Sequence, residues 1–554
     1  MHILTQYLTS QLVIGLLLLS GPGLAEQVPN IVIILADDMG FSDLGSYGGE
    51  IHTPNIDQLA TQGIRFTSFY NTARCSTTRA SLLSGRYPHN VQMGHLAGNR
   101  FSDIDGYHGH LDESLPILPE WLKAHHYRNY MSGKWHLANW SPDEIPKGSI
   151  ENLGNTPLKR GFDRFYGTLL GGNNYFEPKY FYRDNEPIIT LDADFYYTDA
   201  LSLEAVNNIN AHHANYPNQP FFLYLAYTAP HWPLQAPTET IKKYRQVYSS
   251  GWGSLRKERL ARLKAAAIVP DATTLATVDD GTPLWSEIDN KDWFIEKMAV
   301  HAAMVEHIDQ GVGQVINALR AHGELDNTLI LVLSDNGTSA ENLFEIPNWS
   351  SFLMSPRFDS FIGKYQPSGG PMYDLTSGKE LMPGPKHRFQ MLGPEWAQAS
   401  NTPFKKYKTW VHEGGISSPL IVHWPKRLKE QSGTLINYPA HVIDIMPTII
   451  SIVADKANLE QDGVNLLPAL QGGGLSERQL FFEHEGYRAV RGTQWKLVAA
   501  QGGPWELYDI EVDRTERNDL ATQYPDRVSR MKADYARYAR DNKVKDWSVI
   551  TEPL

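Results

Sequence analysis

Three apolar, β-branched runs break off abruptly into polar residues, and this pattern restricts the chain to an α/β fold. Ile31 to Ala36 (IVIILA) stops at Asp37-Asp38, and Leu329 to Leu333 (LILVL) stops at Ser334-Asp335-Asn336-Gly337. Between them, Phe221 to Ala226 (FFLYLA) runs toward Pro230-His231. Continuous rather than alternating apolar runs belong to strands covered on both faces, as in a large mixed, mostly parallel sheet sandwiched by helices. Val305, Ile308, Val312, Val315, Ile316 and Leu319 recur at helical spacing and predict a crossover helix before the last of these strands. Ligands of open α/β sheets bind beyond the carboxyl ends of the strands, so the acidic pairs fall where a site belongs.

Two polar, aromatic and Gly/Pro-rich stretches, Trp232 to Asp292 and Thr338 to Thr402, carry little strand signal and read as insertions framing a pocket. The first contains a helical pattern around Leu255 to Ala267. From about Glu477 short alternating runs take over, followed by a charged helix at Pro525 to Asp541. A chain of 554 residues that is 42% apolar supports a large domain and a smaller one. The expected division is 26–474 for the first and 475–554 for a C-terminal α+β subdomain with an antiparallel sheet.

Leu12 to Leu19 (LVIGLLLL) precedes small residues ending at Gly23-Leu24-Ala25, which is the anatomy of a signal peptide over 1–25, with an uncleaved anchor as the alternative. A periplasmic or secreted chain with one cysteine has no internal disulfide, so Cys75 needs another explanation. The net charge of −12, without a basic run, excludes nucleic acid and gives no reason to expect a stable membrane partner.

Asp37-Asp38 and Asp335-Asn336 offer hard oxygen ligands at two strand ends, suited to calcium, which takes about 6 to 8 oxygens in irregular geometry. Either pair alone would more often be a turn. Cys75 opens Cys75-Ser76-Thr77-Thr78-Arg79-Ala80-Ser81-Leu82-Leu83-Ser84-Gly85-Arg86, where hydroxyl residues suited to capping precede a short helical face. A cysteine at a helix start faces an anion-binding end, with Arg79 one turn on; the alternative is a small buried hydrophobe. Lys134 and His136 follow Gly133 at another strand end, His231 follows Pro230, and Lys408 precedes the turn Glu413-Gly414-Gly415. Each of these alone would be unremarked.

Taken together, in this order and over nearly the whole mature chain, these motifs resemble the formylglycine-dependent type I sulfatases (arylsulfatase-like) of the alkaline phosphatase superfamily. The resemblance implies that a formylglycine-generating maturation enzyme oxidises Cys75 to an aldehyde whose hydrate is the nucleophile. It implies one Ca2+, in preference to Mg2+, on Asp37, Asp38, Asp335, Asn336 and modified Cys75. Lys134 and Lys408 would hold the sulfate oxygens, Arg79 and His136 would orient the hydrate, and His231 would protonate the leaving alcohol. The reaction implied is sulfate monoester hydrolysis through a covalent sulfo-enzyme. One position departs from the family motif: Thr77 stands where Pro or Ala usually follows the cysteine by two residues, which bears on maturation rather than on site geometry.

Two other readings stay open. One is a phosphate or phosphonate ester hydrolase of the same superfamily, because a metal and an anion clamp suit phosphoryl groups too. The other is a non-catalytic, sulfated-glycan-binding protein with unmodified Cys75. For the substrate, aromatic residues in the insertions (Trp232, Trp252, Trp285, Trp293, Trp349 and Trp396) could stack on sugar rings, favouring a sulfated carbohydrate, or could be ordinary core. His95 and the loop Asn99 to His110 are further candidates for the pocket wall.

Overall fold

The computed structural model describes residues 28–98, 101–342, 382–454 and 460–550. The expected leader, Trp349 and much of the second insertion lie outside the described residues. Among the described residues no helix is long and apolar enough to cross a membrane.

Ten strands form one sheet: Asn30–Asp37 (β1), Ile64–Phe66 (β2), Arg128–Gly133 (β3), Arg164–Thr168 (β4), Phe181–Arg183 (β5), Glu186–Pro187 (β6), Phe221–Pro230 (β7), Thr328–Ser334 (β8), Leu420–His423 (β9) and Leu435–Ile436 (β10). Their spatial order is β10-β2-β9-β8-β1-β7-β3-β4-β5-β6. The block β8-β1-β7-β3-β4 is parallel, and β9 pairs antiparallel with both β8 and β2. β1 lies at the centre, with Ala36 opposite Ser334 of β8 and Leu35 opposite Ala226 of β7. The mixed, mostly parallel sheet expected from the apolar runs is therefore what forms.

Alternation along β1 explains why both faces must be covered. Val32, Ile34 and Ala36 enter a core with the helices Tyr197–Asn215 and Lys291–Ala321, the latter being the expected crossover helix. Ile31, Ile33 and Leu35 enter a second core that includes Ala80, Leu82 and Leu83 of the helix Cys75–Ser84. Leu, Ile and Val side chains buried in this way each contribute about 1.5–3 kcal/mol.

The tryptophans of the insertions correct one expectation. Trp252 meets Trp285 at 4.9 Å and Trp396 at 5.5 Å in edge-to-face contacts, and Trp293 meets Phe294 at 4.8 Å. These five rings pack together in or against the core beside the helix Gly251–Ala265, because edge-to-face packing of large apolar rings is favourable there. Among the described tryptophans of that set only Trp232 reaches the site.

Leu480–His484 (β11), Tyr487–Arg491 (β12), Trp495–Ala499 (β13) and Trp505–Asp509 (β14) form the antiparallel C-terminal sheet, followed by the helix Pro525–Asp541. A buried charge cluster ties it to the large sheet. Lys496 Nζ lies 2.9 Å from Glu413 Oε1 and 2.8 Å from Glu516 Oε1, and Arg514 Nε lies 2.8 Å from Glu413 Oε2. Burial opposes ionisation of Glu413, but Lys496, Arg514 and Arg491 prevail and hold its carboxyl well below the ordinary range.

The cluster makes a clear prediction. Lys496→Met removes the cation shared by two buried carboxylates and costs about 3–5 kcal/mol in denaturant unfolding. Because the folded pKa of Glu413 is depressed, its stabilisation is present above the ordinary carboxylate pKa of about 4.3 and is lost as pH falls below it. The wild type should therefore lose more stability on acidification than Lys496→Met does. Equal acid sensitivity of the two proteins would remove the cluster from the account.

Candidate active site

The carboxyl edge of the parallel block brings the sequence-predicted residues together. Asp37 ends β1 and Asp38 follows it, Asp335 and Asn336 follow β8, Lys134 and His136 follow β3, and His231 follows β7. Cys75 opens the helix behind them, and Lys408 arrives on the loop before β9. Gly133 is required at its position: its φ is +129°, and a Cβ there would sit 1.9 Å from Ala226 O. The turn it permits sends Lys134 N–H to Ala226 O at 2.8 Å and His136 N–H to Leu169 O at 3.0 Å. Asp38 (φ 67°) and His136 (φ 54°) both occupy the left-handed region, at a cost of about 1–3 kcal/mol each that the surrounding packing has to offset.

The helix start differs in detail from the expected cap. Arg74 is the N-cap residue and its side chain makes no capping bond. The hydroxyls turn to each other and to the preceding carbonyl instead. Thr77 Oγ1 donates to Arg74 O at 2.8 Å and lies 2.6 Å from Thr72 Oγ1, while Thr72 N–H donates to Thr78 Oγ1 at 3.1 Å. Thr77 is thus part of a buried hydroxyl knot that shapes the turn before Cys75.

Arg79, fully buried, is held on several sides. Its Nη1 donates to Lys134 O at 2.9 Å, and its Nη2 lies 3.3 Å from Asp37 Oδ2 and 3.2 Å from Asp335 Oδ2. Lys134 Nζ pairs with Asp37, and Lys408 Nζ lies 2.8 Å from Asp38 Oδ1. Cys75 Sγ lies 3.5 Å from His136 Nδ1. His231 Nδ1 donates to Trp232 O at 2.6 Å, which fixes the neutral tautomer and leaves Nε2 facing Asp38 Oδ2 at 3.7 Å.

Whether these residues fit a metal ion is decided by the atoms the protein leaves unsatisfied. Asp37 Oδ1 and Asn336 Oδ1 are buried oxygens without a hydrogen-bond partner, which is costly unless a cation completes them. Ligand atoms of Asp37, Asp38 and His231 lie within 4.8 Å of one another. Asp335 shows the same shortage of positive charge: burial, then the Asp37 carboxylate, push its carboxyl up. Burial acts in the same direction on Asp37, but Lys134, His231 and Arg79 hold it well below the usual range. Burial also pushes the His231 imidazole down to about 4. A hard divalent cation fits this all-oxygen cluster, with His231 at its edge.

Sequence reasoning passed over four neighbours of the site. Arg74 Nη1 pairs with Glu341 Oε1 at 3.0 Å, and Trp232 Nε1 donates to Glu341 Oε2 at 2.6 Å. His484 ends β11 and Glu485 stands in the β11–β12 turn; the Arg74 guanidinium feels Glu341, then Glu485, then Cys75. Arg74 could have been picked out by its place beside Cys75. Glu485 gave no signal, because an acidic residue in a hairpin turn is ordinary.

A carboxylate cluster paired with two lysines, beside a helix N-terminus and at the carboxyl edge of a parallel sheet, defines a hydrolase that grips a tetrahedral oxyanion ester. The sulfatase family model matches residues 29–455, and the chain belongs to the sulfatase family, with the fold of the alkaline phosphatase superfamily. It is 34% identical over 538 residues to an uncharacterized sulfatase of Schizosaccharomyces pombe, covering 90% of this chain and 91% of that protein. It is 30% identical over 476 residues to the arylsulfatase of Klebsiella aerogenes, covering 82% and 94%. Among solved structures, Ps i-CgsB in complex with k-i-k-neocarrahexaose superimposes with a TM-score of 0.65 at 26% identity, covering 95% of this chain and 98% of that one.

Proposed function

We propose that the chain hydrolyses the sulfate monoester of a sulfated carbohydrate, with Cys75 supplying the nucleophile after oxidation to formylglycine. The observation that carries this reading is the placement of Cys75: at a helix N-terminus, 3.5 Å from His136 Nδ1, beside the buried clamp of Lys134, Lys408 and Arg79. That a solved structure aligned over 95% of this chain holds k-i-k-neocarrahexaose supports a carbohydrate substrate.

The hydrate of formylglycine would supply one hydroxyl to attack sulfur and a second whose deprotonation releases sulfate. A calcium ion held by Asp37, Asp38, Asp335 and Asn336 would neutralise developing charge on the transferring oxygens and favour the ionised nucleophile.

The protein groups do the rest. Each lysine ammonium carries three donors, so Lys134 and Lys408 can keep their aspartates while offering donors to sulfate oxygens. Arg79 is locked by Asp37, Asp335, Lys134 O and Tyr227 O, with Nε left without a hydrogen-bond partner. His136 faces that group and accepts its proton. His231, with Nδ1–H fixed on Trp232 O, presents Nε2 as the site that carries a proton to the leaving oxygen. Gly172 makes room for this ring, since a Cβ there would lie 2.8 Å from it.

Maturation would take place during export of the chain to the periplasm or the exterior, with 1–25 as the leader. His231→Asn should lower kcat about 10²–10⁴-fold on an alkyl sulfate, whose leaving alcohol needs a proton, and much less on 4-nitrophenyl sulfate. Matched aryl sulfate and aryl phosphate esters test the reaction class, and faster turnover of the phosphate would transfer the assignment to the phosphate and phosphonate hydrolases.

A further inference from the structure

Beside the sulfate clamp lies a second cluster of charged groups that the chemistry above does not use. Arg74, immediately before Cys75, is only 14% exposed in its side chain, pairs with Glu341 at 3.0 Å and lies in the field of Glu485. On one side, Glu341 accepts from Arg74 and from Trp232 Nε1 and interacts electrostatically with Lys408 and His231. On the other, Glu485 accepts from His95 Nε2 at 3.0 Å, with its backbone held at φ 50° in the hairpin turn. The carboxylates keep open faces, with side-chain exposures of 32% for Glu341 and 28% for Glu485.

Two buried groups point to an occupant. His484 is fully buried, its Nε2 lies 3.5 Å from Glu485 Oε1, and neither ring nitrogen has a hydrogen-bond partner. Arg74 Nε is likewise buried without one. Buried polar atoms are ordinarily paired, and unpaired ones beside a reaction centre mark places where a ligand completes the bonding.

Ring contacts hold the cluster in place. His95 is stacked between His484, 5.9 Å away, and Trp547, 5.4 Å away, and meets the edge of Phe101 at 5.1 Å. Trp547 comes from the C-terminal segment, which is pinned to the loop holding Phe101 by the Lys543–Asp105 ion pair at 3.0 Å. A rim held in this way is preorganised to read a ligand.

We infer that Glu341 and Glu485, spaced by Arg74, form a specificity rim that accepts hydrogen bonds from free hydroxyls of the sugar ring bearing the scissile sulfate. This rests on the sulfatase reading and narrows its substrate. Carboxylates accept from hydroxyls and repel anions, so the ring presents neutral hydroxyls to this face rather than a second sulfate or a carboxylate.

The test starts from the matured wild type; no sulfate release from any ester of the panel, aryl or glycoside, sinks the sulfatase reading itself, separately from the rim. Glu341→Gln and Glu485→Gln are then compared with wild type on 4-nitrophenyl sulfate, an ester without ring hydroxyls, and on singly sulfated methyl glycosides of galactose, glucose and N-acetylglucosamine. For the best glycoside, each variant should lose at least tenfold more kcat/KM than it loses on the aryl ester, mainly through KM. Deoxy analogues of that glycoside keep the test sharp if a variant is partly unfolded. Removing the hydroxyl read by a given glutamate should cost wild type at least tenfold and the matching variant less than twofold. Parallel losses on glycoside and aryl ester, or deoxy losses of the same size in wild type and variant, would overturn the rim.

Discussion

Cys75→Ala should abolish sulfate release, with kcat on 4-nitrophenyl sulfate falling by about 10⁴-fold or more, as expected when a covalent nucleophile is removed. Fold stability should change little, because Cys75 makes a single polar contact, with His136, and replacing a thiol by a methyl leaves only a small cavity. Intact melting behaviour with activity lost separates chemistry from folding. Cys75→Ser is the sharper companion: it keeps size and polarity and should be nearly as inactive if the aldehyde is what matters. Tryptic mass spectrometry of the wild-type peptide completes the test. Active protein in which that peptide carries an unmodified thiol would refute formylglycine and leave the sulfated-glycan-binding reading for any preparation that is also inactive. The buried knot of Thr72, Thr77 and Thr78 shows why Thr77 is tolerated by the fold, since its hydroxyl is used in the turn before Cys75.

The second large effect is expected at Asp37. Its carboxylate lies against Lys134 and Arg79, and all three side chains are fully buried. Asp37→Asn keeps the shape but leaves two buried cations short of counter-charge, at a cost of about 3–5 kcal/mol. The same change withdraws an anionic ligand from the proposed calcium site, so activity should vanish as well. A readout independent of activity is the calcium dependence of thermal unfolding. At a free calcium concentration about 100-fold above Kd, wild type should gain roughly 2.7 kcal/mol of stability, and chelation should remove it. Asp37→Asn should show little of this gain. A variant with the full calcium shift would exclude Asp37 from the site.

Much of the fold was legible because buried parallel strands leave a strong compositional trace. The run from Ile31 to Ala36 could only be a strand covered on both faces, and the helical spacing from Val305 to Leu319 announced a crossover. The gathering of Asp37, Asp335, Lys134 and His231 followed from a rule of topology, that the carboxyl ends of parallel strands share one edge. What stayed hidden depends on contacts with no local pattern. Trp252, Trp293 and Trp396 look alike in sequence whether they stack on sugars or on each other, and only packing shows that they form core. Glu485 meets His95 because a whole antiparallel sheet is docked through Lys496 and Glu413, and nothing around position 485 announces that journey. The hydroxyls after Cys75 looked like caps, and they bond instead to residues before the helix, a choice settled by the path of the incoming chain.

The central position of β1 also sets a schedule. Residues near the amino end of the chain pair with β7 and β8, and Arg79 meets its partner Asp335 across 256 residues of sequence. At translation speeds of about 5–20 residues per second, roughly 10 to 50 seconds separate the emergence of those two residues. Until β8 arrives, Arg79, one helical turn after Cys75, lacks its partner Asp335. The proposed oxidation of Cys75 would thus have a window written into the strand order, before the sheet closes around Arg79.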